Sequence, residues 1–150
     1  MKLEFSGAPE IIATRQKVWA RLTDPDFVAA SAPGVESVEK LEPGHFRVAS
    51  GIGVGTMRLP FRLEVRLLDA VEPDSLRMHA IGTGAGSSVD VLSDLRLEAA
   101  GDGRTRLRWS ATTDVTGAIA NLGPKAVEVA ARHLTEQFWS DFARRAGGAP

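Results

Sequence analysis

Three histidines, a pair of aspartates at strand spacing and two glycine-rich strings are where this sequence could carry chemistry. His45, His79 and His133 lie far apart, and only His133 has a carboxylate at helical spacing, Glu136, with Gln137 beside it. A metal ion needs more ligands than that, and the chain has no cysteine to supply thiolates. The simpler reading of His133 is a helix-surface residue near Arg132 and Glu136. His79 alternates with Met78 and Ala80 and is expected to face outward beside Arg77. Asp90 and Asp94 share a strand face but stand about 13 Å apart at ordinary rise, too far to share a proton. With no tyrosine in the chain and no histidine or carboxylate clearly directed inward, no general acid or base can be nominated. The expectation is therefore no catalytic residue, no metal site and no cofactor.

The strings Gly51-Ile52-Gly53-Val54-Gly55 and Gly82-Thr83-Gly84-Ala85-Gly86 invite a nucleotide reading. A dinucleotide fingerprint must open a helix whose N-terminus meets the pyrophosphate, whereas these strings sit in strands. Charge points the same way. Lysine plus arginine number 18 against 19 acidic residues, a formal charge of -1, which offers no footprint for nucleic acid. No apolar run reaches the roughly 18 residues of a membrane span, and the N-terminus lacks the basic and apolar regions of a signal peptide, so a cytoplasmic location is expected. At 150 residues with 43% hydrophobic content, the chain is expected to form one domain over 1–150.

The elements that must position these residues follow from periodicity. Lys2 to Ile12 reads as an edge or bent strand interrupted by Pro9. Thr14 is placed to cap a short helix with Val18, Trp19 and Leu22 on one face, and Asp24-Pro25 leads to a second short helix over Phe27 to Ser31. From Val35 to Val115 the period becomes two. Met57, Leu59, Phe61, Leu63, Val65 and Leu67 oppose Arg58, Arg62, Glu64 and Arg66, and four further segments repeat the alternation between turn signals. This predicts an antiparallel meander. A long helix over Ile119 to Arg145, ended by Gly147-Gly148, carries Leu122, Ala126, Val127, Ala130, Leu134, Phe138 and Phe142 on one stripe. The only surface large enough to cover that stripe is the apolar face of the sheet, so an α+β fold results, with a curved sheet of about seven strands wrapped around the last helix.

The two rims of such a meander differ. One has tight polar turns at Glu42-Pro43-Gly44-His45, Glu72-Pro73-Asp74-Ser75 and Ala100-Gly101-Asp102-Gly103; the other holds both glycine-rich strings and Thr116-Gly117-Ala118. Glycine-rich lips around a bent sheet predict a basket opening at that end. Its expected lining is Phe46, Ile52, Met57, Phe61, Met78, Val91, Trp109, Ala111, Leu134 and Phe138, joined by the hydroxyls of Ser50, Ser93 and Thr113. Such a pocket takes an apolar small molecule oriented by few polar contacts. The plainer reading of the same residues is a filled core, since inward apolar residues are the rule for a half-buried sheet.

Two segments carry a resemblance. Leu22-Thr23-Asp24-Pro25-Asp26-Phe27-Val28-Ala29-Ala30-Ser31-Ala32-Pro33-Gly34-Val35-Glu36-Ser37-Val38-Glu39 and Leu122-Gly123-Pro124-Lys125-Ala126-Val127, continuing through Ala131-Arg132-His133-Leu134-Thr135-Glu136-Gln137-Phe138, resemble the carbon monoxide dehydrogenase G-subunit (CoxG) family of the START-like, SRPBCC (Bet v 1-like) helix-grip superfamily. The resemblance implies two short helices after the first strand and a hydrophobic-ligand cavity between sheet and last helix. It also implies a non-catalytic accessory role beside a molybdenum hydroxylase or dehydrogenase, with handling of a quinone and membrane recruitment of that enzyme. Carried across, it puts Pro33 and Gly34 after the second helix and Phe138 on the cavity side of the long helix. Two departures stand out. Some members have a cysteine near the Pro-Gly turn, where this chain has Ser31 and Val35. Many have a C-terminal tail suited to membrane attachment, whereas this sequence ends at Gly147-Gly148-Ala149-Pro150. The alternatives are a polyketide cyclase- or dehydratase-like enzyme on the same fold, and a cavity-less interaction module.

Overall fold

The computed structural model describes residues 1–54 and 56–147, with the side chains at 53, 54 and 57 outside the description. Met57 as a lining side chain, the Gly55 end of the first glycine-rich string and the Gly148–Pro150 terminus therefore lie outside the described residues. The order is β1 (Lys2–Gly7), β2 (Glu10–Ile11), α1 (Arg15–Leu22), α2 (Pro25–Ala29), then six strands. These are β3 (Val35–Glu42), β4 (His45–Val54), β5 (Met57–Val71), β6 (Ser75–Gly84), β7 (Ser87–Ala99) and β8 (Thr105–Gly117). A 3-10 turn (Ala118–Leu122) and α3 (Pro124–Ala146) follow. The strands form one antiparallel sheet in the order β1-β8-β7-β6-β5-β4-β3, with β2 also on β8. This is the expected meander, with the polar turns on one rim and the glycine-rich strings on the other.

Three boundaries differ from expectation, each for a local reason. The first strand is two, because Pro9 cannot donate to a ladder; its carbonyl instead accepts from Leu107 N–H at 3.0 Å, and pairing resumes at Glu10 opposite Arg106. The second helix starts earlier, at Pro25, where the Asp24 side chain accepts from Asp26 N–H at 3.1 Å and proline sits at the first helical position. The long helix starts later. Pro124 would clash with a helical carbonyl one turn back, and Gly123 at φ +101° turns the chain out of the helical path, so 118–122 form a separate turn.

The buried stripe of α3 is also rotated from the expected one. Leu122 is 61% exposed, and Ala126 and Ala130 are exposed. The buried residues are Val127, Trp139, Phe142, Ala143 and Ala146. Trp139 is the anchor: it stacks on Trp109 of β8 with ring centres 6.2 Å apart, and meets Phe138 and Phe142 edge-on at 4.8 and 5.7 Å. Aromatic rings dominate burial energetics, so the helix turns toward this cluster rather than presenting Ala126 and Ala130. The outer sheet face carries cross-strand pairs such as Arg77–Asp94 and His79–Asp90, both at 2.8 Å. His45 likewise hydrogen-bonds Glu64 at 2.8 Å and is the main reason the Glu64 carboxyl is held below the usual range.

Candidate functional site

Register assigns each inward residue its neighbours. One row across the sheet runs Phe46, Val65, Ala80, Val91, Thr113, Leu3; the next, toward the glycine-rich rim, runs Val48, Leu63, Gly82, Val89, Val115. On the other side lie Leu67, Met78, Ser93, Ala111 and Phe5. Central strand β6 thus presents Ala80 and Gly82 where its neighbours present branched or aromatic side chains. Leu63 leans over the second of these, where a Cβ on Gly82 would lie 2.9 Å from its Cδ2.

Ala131, Leu134 and Phe138 on α3, and Leu63, Ala80 and Val91 on the sheet, face the interior yet are only partly buried. The main core cluster gathers toward the end of the sheet beneath the C-terminal half of α3, around Trp109, Trp139 and Phe142. Phe61, Val115 and Val127 are buried outside that cluster, toward the glycine-rich rim. Of the residues singled out in the sequence, Phe46, Met78, Trp109 and Ala111 belong to the core cluster, while Val91 and Phe138 pack on its edge and Leu134 is half-buried above it. Ile52 is half-buried near the rim, and Phe61 is buried there.

Beside Leu134 and Phe138 a groove of about 340 Å³ runs between α3 and the segment after α2, its other walls being Ser31, Pro33, Gln137, Ser140, Asp141 and Arg144. The segment forming its far wall is tied down on both sides. Toward the sheet, the Ser50 hydroxyl donates to the Pro33 carbonyl, and Gly51 N–H donates to Gly34 O at 2.9 Å. Gly34 has φ +61°, and a Cβ there would lie 2.0 Å from the Gly51 carbonyl oxygen, so only glycine fits. Toward the helix, Arg145 donates to Phe27 O at 2.8 Å, to Asp141 at 3.0 Å and to the Ser31 hydroxyl, and its guanidinium lies 4.3 Å from the Phe27 ring centre.

Burial alone would raise the pKa of Asp141, but hydrogen bonds from Arg144, Arg145 and Ser31 outweigh it and hold the carboxyl below its ordinary value. Sequence reasoning missed this clamp and Trp139. The Asp141/Arg145 spacing of four and the aromatic Phe27 after Asp24-Pro25 were its legible traces.

A second depression, about 450 Å³, lies over the charged side of the sheet by Arg77, Asp94, Arg96 and Arg108. It is larger than the groove, and both have mixed polar and apolar walls. Among the described residues the buried polar side chains are Ser31, Ser50, Ser87, Ser93, Thr105 and Thr113, all hydroxyls. The histidines are scattered as their pairings require: His45 and His79 on the outer sheet face, His133 exposed on α3. Asp90 and Asp94 are each paired to a different neighbour across the strand. Among the described residues no group of three potential metal ligands forms, and no helix is long and apolar enough to cross a membrane.

A curved antiparallel sheet gripping a long C-terminal helix, with two short helices inserted after the first strands, defines the START-like helix-grip class. Residues 7–147 match the carbon monoxide dehydrogenase G-subunit (CoxG) family, and the chain belongs to it. Solved structures share the fold. A conserved protein from Geobacillus kaustophilus is 20% identical with TM-score 0.87, over 97% of this chain and 96% of that one. A START superfamily protein from Mycobacterium smegmatis is 12% identical with TM-score 0.71, over 95% and 96%. The Zhui aromatase/cyclase from a Streptomyces species is 19% identical with TM-score 0.61, over 100% of both. No curated protein sequence matches the chain.

Proposed function

We propose that this chain binds a hydrophobic small molecule between the sheet and α3, as an accessory protein of a molybdenum-containing carbon monoxide dehydrogenase-type complex, and that a quinone is the guest. What supports the reading is a set of apolar residues that are only partly buried: Leu63, Ala80 and Val91 on the inward face of the sheet, and Leu134 and Phe138 on α3. Apolar surface left uncovered inside a fold costs about 25 cal/mol per Å² relative to burial, and a guest recovers it. In this reading Val91, Leu134, Phe138 and Phe61 touch the guest, Phe46, Met78, Trp109 and Ala111 form the floor, and Ile52 stands at the rim. Family membership supports the enzyme partner. A cyclase role would require an inward acid or base, and the buried polar side chains described are hydroxyls.

Calorimetric titration with 2-methyl-1,4-naphthoquinone tests the binding. Saturable one-to-one uptake with a negative heat-capacity change is expected. Heats that never saturate would overturn the proposal. Co-purification of the tagged chain with the molybdenum enzyme tests the partner.

A further inference from the structure

Resting on that reading, we infer that Thr113 is the polar contact that orients the guest, and that the ligand class is an apolar molecule bearing a ring carbonyl or hydroxyl rather than a plain hydrocarbon. Thr113 is 4% exposed on the inward face of β8, and its Oγ1 has no hydrogen-bond partner among the described residues. Buried hydroxyls ordinarily find partners, and four others in this chain do. Thr105 donates to Ala13 O at 2.7 Å, Ser87 accepts from Ile119 N–H at 2.8 Å, and Ser50 and Ser31 hold the groove wall. A valine has the shape of threonine and would bury at this position with no unmet donor, so the hydroxyl adds nothing to packing.

Its setting points to a ligand. In register Thr113 lies between Val91 and Leu3, both only partly buried, one position from the glycine-containing row of β6. Ser93, opposite Ala111, is its diagonal neighbour and puts a second hydroxyl on the same face. Diagonal positions in a sheet are about 7–8 Å apart, close enough for one ligand oxygen to be approached from both. Everything else in those three rows is apolar, so within them a guest oxygen finds its complement at Thr113 and Ser93.

The test uses a matched pair of probes, 2-methyl-1,4-naphthoquinone and 2-methylnaphthalene, which share a ring skeleton and differ in two carbonyls. Wild type, Thr113→Val and Thr113→Ser are titrated as full-length chains. Thr113→Val is expected to lose about tenfold in quinone affinity, what one hydrogen bond contributes, with hydrocarbon affinity unchanged and Thr113→Ser restoring the difference. Its melting temperature is expected at or above wild type, because no bond within the fold is lost.

An unchanged quinone-to-hydrocarbon ratio in Thr113→Val overturns the inference and leaves a buried water as the partner of Oγ1, with the binding reading intact. A melting temperature several degrees lower also overturns it, since the hydroxyl would then serve the fold. If wild type binds neither probe, the binding reading itself fails and takes this inference with it.

Discussion

Replacing Arg145 by methionine removes the clamp that fastens the Ser31–Gly34 segment to α3 while keeping most of the apolar stem. The hydrogen bond from the guanidinium to Phe27 O, 2.8 Å long and part-buried, is charge-assisted and contributes about 1.5–3 kcal/mol. The guanidinium over the Phe27 ring adds about 0.5–1 kcal/mol. The ion pair with Asp141 adds little, because Arg144 remains on its other oxygen. The sum is about 2–4 kcal/mol, a fall in melting temperature of about 4–16 °C for a chain of this size. Arg144→Met is the control: that side chain is 55% exposed, and its loss should cost about 0–1 kcal/mol. Urea unfolding at neutral pH measures both. Equal destabilisation by the two substitutions, or a loss below about 0.5 kcal/mol for Arg145→Met, would refute the idea that the groove wall is held by buried, directional contacts.

Three further outcomes are expected. Ala111→Trp, at a position 2% exposed on the floor, should abolish quinone uptake while costing about 1–3 kcal/mol in overpacking, read by titration and urea unfolding together. Asp141 has a folded-state pKa below its unfolded one, so its contribution to stability is complete above the unfolded value of about 3.9 and is lost as pH falls through the folded value. The urea midpoints of wild type and Asp141→Asn should therefore differ most at pH 6 and converge as the pH is lowered below the unfolded value. Ligand dissociation from Arg145→Met should be faster than from wild type in stopped-flow displacement, because the wall beside Leu134 and Phe138 is freed.

The sheet was legible from β4 to β8 because one face of each of those strands is buried, and a period-two pattern from Phe46 to Val115 then admits one register of in and out. Rim chemistry followed from the same count, since turns of a meander alternate ends. The helix was less legible. Its stripe can be drawn through Ala126 and Ala130 or through Ala131 and Trp139 with similar spacing, and only the stacking partner on β8 decides between them. Pro124 marks the true start of α3.

For the candidate site, side-chain direction was readable and depth was not. Sequence put Phe46, Met78, Trp109 and Ala111 on the inner face, and only the packing of α3 separates these core members from Val91, Leu134 and Phe138, which stay partly buried. The clamp at Arg145 joins residues more than a hundred positions apart, a separation at which local spacing carries no signal.

Whether a guest sits between sheet and helix is decided by isotope-edited nuclear Overhauser measurement on the labelled chain saturated with 2-methyl-1,4-naphthoquinone. Contacts are expected from the ring protons to the methyl groups of Ala80, Val91 and Leu134, from both sides of the interior at once. Contacts confined to outward methyl groups such as Leu68 and Ile81, each 39% exposed, would contradict interior binding.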